Sequence, residues 1–252
     1  MYYKKIGKGS QTLLLVHGFM SDGTVWDAVA LALKDDFQII IPDLDGYGNS
    51  SELQVYKTLK ELAFELKNIL DSENIEKVTY VGHSMGGYIG LEFLEHFEST
   101  LNHFVMLNSH IYTDSDERST NRTKTIGFLQ KYGSKLYVKE SFRTLFSPVF
   151  AVNHSEIVAK MMENAHTYPV QTLINSCQAM IERKNHEQTI QNVSIPIHFL
   201  MGEIDSLIPV DEYRKMTELN PLSKTYILEK GGHMGMHENT EDVIDYIIKN
   251  IK

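Results

Sequence analysis

The sequence predicts an α/β fold, a doubly wound and mostly parallel sheet with an inserted helical cap, and three observations lead there. Short apolar, β-branched runs recur at Leu13–Val16, Ile39–Ile41, Val78–Val81, Phe104–Leu107 and Ile195–Leu200. Runs without polar alternation mark strands buried on both faces, as parallel strands are. The segments between them are long enough for helices, and strands alternating with helices imply crossovers on both sides of one sheet. Between Ser109 and Asn192 the alternation stops, and the chain there carries polar, helix-like patterning with no buried strand. Residues 1–109 and 193–252 are therefore expected to form the core and 110–192 the cap.

Each element has its own signal. Leu59, Leu62, Ala63, Leu66, Ile69 and Leu70 fall on one helical face, and Val243, Ile244, Ile247, Ile248 and Ile251 on another, with Asn239 as its expected N-cap. In the insertion, Val170, Leu173, Ile174, Cys177 and Ile181 form a stripe, and Met161, Met162 and Met180 add flexible apolar surface. At 252 residues, with 42% hydrophobic and 23% charged, the chain can bury a sizeable core without covalent staples.

Composition narrows the partners. Against 24 Lys and Arg stand 33 Asp and Glu, a net charge of −9 with no basic stretch, which argues against nucleic acid and against an anionic membrane surface. Cys177 is the only cysteine, so an intrachain disulfide and a four-cysteine metal site are excluded and a reducing compartment fits. Met1-Tyr2-Tyr3-Lys4-Lys5 leads into no long apolar segment, and no apolar run is long enough to span a bilayer. The expectation is a soluble, cytoplasmic protein.

The chemistry concentrates where the strand pattern Lys77–Val81 runs into Gly82-His83-Ser84-Met85-Gly86-Gly87, with Gly90, Phe93, Leu94 and Phe97 following at helical spacing. That is a strand, a very tight turn and a helix. A serine at the apex of such a turn is strained, and Gly82 and Gly86 let strand and helix pass closely. Ser84 is the candidate nucleophile, and the N–H of Met85 points where developing negative charge is favoured.

A serine hydroxyl needs a base and an acid to orient that base. Of eleven histidines, His233 follows the strand-like Thr225–Leu228 through a glycine-bearing loop and precedes the last helix. His237 is its rival, nearer the helix. For the acid, Asp205 stands where the chain leaves the strand Pro196–Met201, while Asp211 fits a helix first turn and Glu203 a solvated loop. The order Ser84, Asp205, His233 suits a triad on this kind of sheet. The strand Leu13–Val16 ends in His17-Gly18-Phe19-Met20, so the N–H of Phe19 is the second oxyanion donor, and His17 is expected to hold that loop rather than to react. Met20 and Trp26 are the substrate-pocket candidates.

These segments resemble the alpha/beta-hydrolase fold family, and the match is spread along the chain: His17-Gly18, Pro42–Ser50, Gly82–Gly87, Gly202–Pro209, and Gly231-Gly232-His233 before Glu238. The resemblance implies a serine-nucleophile hydrolase whose segment after Ser109 caps the active site. It also points to abbreviated antiparallel strands at the N-terminus and away from members with an aspartate nucleophile. Asp45 and Tyr47 depart from the residues often found in the family's glycine-rich segment.

The leading reading is hydrolysis of a carboxylic ester or thioester with a small to medium acyl group through an acyl-enzyme. A second keeps the triad but cleaves carbon–carbon bonds or runs a lyase step on carboxylate-bearing substrates, which requires Arg118, Arg122, Arg143 or Arg183 to face the pocket. A third is a triad-bearing ligand sensor that signals through cap movement. No cofactor is called for, and no metal: His233 and His237 lack the intervening glutamate of a helical zinc site.

Overall fold

Residues 1–252 are described by the computed structural model. Strands β1 (Tyr2–Ile6) and β2 (Gln11–Val16) lead into helix α1 (Asp27–Leu33), β3 (Phe37–Asp43), α2 (Leu59–Ser72), β4 (Val78–His83), α3 (Met85–Phe97) and β5 (Leu101–Leu107). Five helices follow with no strand between them: α4 (Asp116–Ser141), α5 (Pro148–Asn153), α6 (Ser155–Ala165), α7 (Val170–Ile181) and α8 (Glu187–Asn192). The chain then returns through β6 (Ile197–Gly202), α9 (Val210–Thr217), β7 (Ser223–Leu228), α10 (Gly235–Glu238) and α11 (Thr240–Ile251).

The seven strands form one sheet in the order β1-β3-β2-β4-β5-β6-β7. Only β1 runs antiparallel, against β3, and the remaining pairs are parallel. All six residues of β4 are buried, Thr79 and His83 among them, whereas the edge strand β7 leaves Lys224–Ile227 exposed. Pro196 delays the fifth of the predicted runs, which becomes β6 and begins at Ile197 rather than Ile195.

The predicted stripe of α2 is buried at Leu59, Leu62, Ala63, Leu66, Ile69 and Leu70. The helix starts on a reciprocal cap, Glu61 N–H donating to Thr58 Oγ1 at 3.2 Å and Thr58 N–H to Glu61 Oε2 at 2.8 Å. Such caps stabilise a helix by about 1 kcal/mol. Asn239 occupies the N-cap position of α11, as expected, but without a side-chain capping bond; its amide turns back to donate to Glu229 O at 3.0 Å, tying the helix to the loop after β7.

Two features place a site. From β2 the chain crosses to β3 on one side, then returns to β4 on the other, so the connections leaving β2 and β4 diverge and open a crevice at their carboxyl ends. The inserted helices pack over the core through Leu129, Val138, Phe142 and Leu173, which belong to the same apolar cluster as the sheet residues. Within α4, Gly133 takes φ 81 and ψ 172 and breaks the helix in two, a conformation essentially reserved for glycine.

Candidate active site

Ser84 sits between β4 and α3 with φ 49 and ψ −115, a left-handed backbone that a non-glycine residue holds only under constraint. The constraint is visible. Its N–H donates to Leu107 O at 3.0 Å, and its carbonyl accepts from Gly87 N–H at 2.8 Å and Ser109 Oγ at 2.9 Å. The turn closes because two side chains are missing: a Cβ on Gly82 would lie 2.5 Å from Gly86 O, and one on Gly86 would lie 2.4 Å from Val16 O.

This turn carries the hydroxyl to His233, with Ser84 Oγ 2.9 Å from His233 Nε2. On the other side of the ring, Nδ1–H donates to Asp205 Oδ2 at 2.8 Å. The other carboxylate oxygen of Asp205 accepts from the N–H groups of Leu207 at 2.8 Å and Ile208 at 3.2 Å. Burial alone would push the Asp205 carboxyl up. The His233 ring and the hydrogen bonds from His233, Leu207 and Asn108 outweigh it and hold the group below the ordinary carboxylate value, so it is ionised at neutral pH. The arrangement can take a proton from an alcohol and stabilise the resulting imidazolium.

The rivals lie elsewhere. His237, on α10, has a buried Nε2 without a partner, and burial pushes its imidazole down to about 4. Asp211 is in the first turn of α9, and Glu203 accepts from Lys230 N–H at 2.8 Å. His17 donates Nδ1–H to Gly18 O at 2.9 Å and accepts from Leu44 N–H at Nε2 at 2.9 Å, tying the loop after β2 to the end of β3. The N–H groups of Phe19 and Met85 have no acceptor within the protein.

Two neighbours escaped the sequence reading. Asn108, just past β5, donates to Asp205 Oδ2 at 2.9 Å and to Gly232 O at 3.0 Å. His83 donates from Nε2 to His233 O at 2.8 Å, and its ring is pushed down to about 3, mainly by burial, so it stays neutral. Adjacency to Ser84 was the only available signal for His83. Nothing in the sequence marked Asn108.

A cavity of about 290 Å³ opens beside Ser84 and His233. Phe19, Met20 and Tyr88 line it from the core, and Tyr137, Cys177 and Met180 from the inserted helices. Burial pushes the Cys177 thiol up to about 12, so it contributes apolar wall rather than a nucleophile. Met161 and Met162 stay outside the cavity, and so does Trp26, contrary to expectation. After Met20 the chain turns away beside β3, with Gly23 N–H donating to Asp43 Oδ1 at 2.8 Å, and this carries Trp26 into the core, where it is fully buried. Of the four arginines, Arg118 and Arg122 line the cavity, while Arg143 and Arg183 do not.

One group of side chains could hold a metal, Glu92, Glu95 and His186, whose ligand atoms lie within 4.8 Å of one another. The Lys184 ammonium already sits 2.8 Å from Glu95 Oε1, and none of the three residues lines the cavity.

The turn and the strand order together have counterparts among known proteins. A sequence profile of the alpha/beta hydrolase fold matches residues 11–240. The chain belongs to this family. Along 99% of its length it is 24% identical to a pimeloyl-[acyl-carrier protein] methyl ester esterase of Vibrio cholerae, 97% of which is covered. The structure of a thermophilic esterase from Thermogutta terrifontis, with malate bound, superimposes with a TM-score of 0.92 at 26% identity, over 98% of this chain and 91% of that one. The fold is shared with an enol-lactonase from Burkholderia xenovorans, TM-score 0.90 at 15% identity, over 98% and 95% of the two chains. This alpha/beta hydrolase thus has esterases among its similar proteins, and no helix in it is long and apolar enough to cross a membrane.

Proposed function

We propose that this alpha/beta hydrolase cleaves a carboxylic ester or thioester of a small to medium acyl group, with Ser84 as nucleophile, His233 as base and Asp205 as the acid that orients it. The observation that carries the reading is the unbroken relay from Ser84 Oγ through both nitrogens of His233 to Asp205, opening on a cavity. His233 Nε2 takes the hydroxyl proton as Ser84 Oγ bonds to the substrate carbonyl carbon. The oxyanion settles on the N–H groups of Phe19 and Met85, each worth ~3 kcal/mol of transition-state stabilisation in comparable sites. As the carbonyl re-forms, the bond to the leaving alcohol or thiol breaks, and His233 returns the proton to that group. Water, deprotonated by the same nitrogen, then releases the acid and restores Ser84. Residues 110–192 serve as the lid over this site, and the single buried cysteine suits the cytoplasm.

The test is Ser84→Ala on short p-nitrophenyl esters and thioesters, with intact-mass detection of a fluorophosphonate adduct on the parent enzyme. Loss of turnover and of labelling is expected. Turnover surviving in a folded variant would remove Ser84 from the mechanism, and a single turnover with ligand-dependent stabilisation would favour a sensor.

One observation supports a second reading. With Arg118 and Arg122 on the cavity wall, a carboxylate-bearing substrate of carbon–carbon hydrolysis or a lyase step also fits, with His233 acting mainly in proton transfer. Product analysis separates the two, since only ester hydrolysis releases an alcohol or thiol and an acid in equal amounts.

A further inference from the structure

Three arginines gather around α4 and the end of α7, two of them on the cavity wall, and they are not equivalent. Arg183 is buried and fully engaged: Nε donates to Tyr112 O at 3.0 Å, one terminal nitrogen to Met180 O at 2.8 Å, and the other to Asp114 Oδ1 at 2.7 Å and His110 Nε2 at 3.1 Å. Arg118 spends its terminal nitrogens on Glu212, at 2.9 and 3.3 Å, and on Leu207 O at 3.1 Å. Arg122 differs. Its Nε donates to Asp114 Oδ2 at 2.6 Å, while both terminal nitrogens donate to no protein atom, and the residue lines the cavity that Ser84 opens on.

The charges do not cancel. Three guanidiniums face two carboxylates, Asp114 and Glu212, and Asp114 is shared by two of them. His110 adds no charge, because burial first and then Arg183, Arg118 and Arg122 hold its imidazole well below the ordinary value. One positive charge is left over in the wall of a small cavity, in a chain whose net charge is −9. Asp114 fixes Arg122 through Nε and leaves the two parallel terminal N–H groups, the geometry that binds one carboxylate through two hydrogen bonds. A doubly charged phosphate would leave one of its charges uncompensated. Asn121 and Thr125, on the same helix, add polar groups to that wall.

We infer that Arg122 anchors a carboxylate of the substrate, so that the preferred substrates are half-esters: monoesters or monothioesters of short dicarboxylic acids, with the free carboxylate on Arg122 and the ester carbonyl at Ser84. This rests on the esterase reading above and narrows it. A cavity of about 290 Å³ sets the chain length, because both ends of one small molecule must fit in it.

The experiment compares monomethyl with dimethyl esters of the dicarboxylic acids from succinate to suberate on the parent enzyme, on Arg122→Gln and on Arg122→Lys. One half-ester is expected to exceed its diester in kcat/KM by roughly tenfold or more, the scale of one charge-assisted bidentate contact. Arg122→Gln should erase that preference through KM, and Arg122→Lys should keep part of it and serve if the glutamine variant does not fold. Ser84-dependent hydrolysis without a half-ester preference, or with one that both variants retain, would overturn the assignment and leave the esterase reading standing. If no ester is hydrolysed, that reading fails, and thermal shifts decide the anion site by themselves. Stabilisation of the parent enzyme by glutarate or adipate that is lost in the Arg122 variants supports it, and no stabilisation overturns it.

Discussion

Asn108 donates its side-chain N–H to Asp205 Oδ2 at 2.9 Å, the same oxygen that accepts from His233 Nδ1 at 2.8 Å. The second bond of this amide reaches Gly232 O at 3.0 Å, so one side chain at the end of β5 fixes the acid loop and the histidine loop together. Its backbone lies at φ 46, where asparagine is tolerated better than most residues.

On the proposed mechanism Asn108 is a positioning residue, and removing its amide should loosen the aim of His233 rather than substrate binding. Asn108→Gly, which keeps the backbone conformation, is expected to lower kcat by roughly tenfold, the scale of one hydrogen bond to a charged acceptor, with KM unchanged. Asn108→Ala should show the same kcat and, in addition, a lower Tm from its strained φ. Steady-state kinetics on a short p-nitrophenyl ester with thermal melts checks both, and an unaltered kcat in the glycine variant would refute the positioning role.

Asp114 holds the insertion at its base. Its carboxylate is 1% exposed and binds Arg183 at 2.7 Å and Arg122 at 2.6 Å. Burial opposes its charge, but the two guanidiniums outweigh it and keep the group ionised. Asp114→Asn leaves both cations without a counter-charge, and breaking a buried pair in this way costs about 3–5 kcal/mol. Urea unfolding should show the midpoint falling accordingly, while a loss below about 1 kcal/mol, the level of an exposed pair, would mean that solvent reaches the cluster.

Acid should destabilise the fold before it titrates the carboxylates. Burial pushes His83 and His198 down to about 3 and His237 down to about 4. In the unfolded chain these imidazoles regain their ordinary value of about 6.5, so between pH 6.5 and 4 the unfolded state binds more protons than the folded one. Stability rises with pH through that window, by about 1.4 kcal/mol per pH unit for each such proton, and is complete above it. Asp205 and Asp114, both held below the ordinary value, add a second loss as pH falls through their folded values. Urea midpoints measured from pH 8 to 4 should decline below pH 6.5, and His198→Phe should flatten the slope by about one proton.

Which parts were legible in the sequence follows from the range of the contacts involved. Ser84, Asp205 and His233 each follow the carboxyl end of a strand, and strand, turn and helix are local patterns that glycine spacing reveals. Trp26 was misplaced because its direction depends on Gly23 binding Asp43, twenty residues later. Asn108 escaped because its partners stand at Asp205 and Gly232, and no local pattern distinguishes an asparagine that donates to a distant carboxylate from one in a loop. Arg118, Arg122, Arg143 and Arg183 read alike for the same reason: the unengaged terminal nitrogens of Arg122 stand out only once Asp114 is placed against Arg183 and Glu212 against Arg118.

The backbone of Ser84 gives the sharpest test of how the turn is held. At φ 49 and ψ −115 the residue holds a backbone conformation that is unfavourable for any residue with a Cβ, and the proposed role as nucleophile is what would justify keeping it. Its main-chain bonds to Leu107 O and from Gly87 N–H do not involve the side chain, so they survive substitution by alanine or glycine. Ser84→Ala and Ser84→Gly both lose the 2.9 Å contact with His233 Nε2, and both should be inactive. In the folded state they differ in strain: alanine keeps its Cβ in the unfavourable region, glycine has none. Ser84→Gly should therefore unfold at higher urea than Ser84→Ala, by about 1 kcal/mol after allowing for the greater freedom of glycine in the unfolded chain. Equal midpoints, or a less stable glycine variant, would mean that the turn imposes no net strain and that Gly82 and Gly86 alone bear the cost of the close crossing.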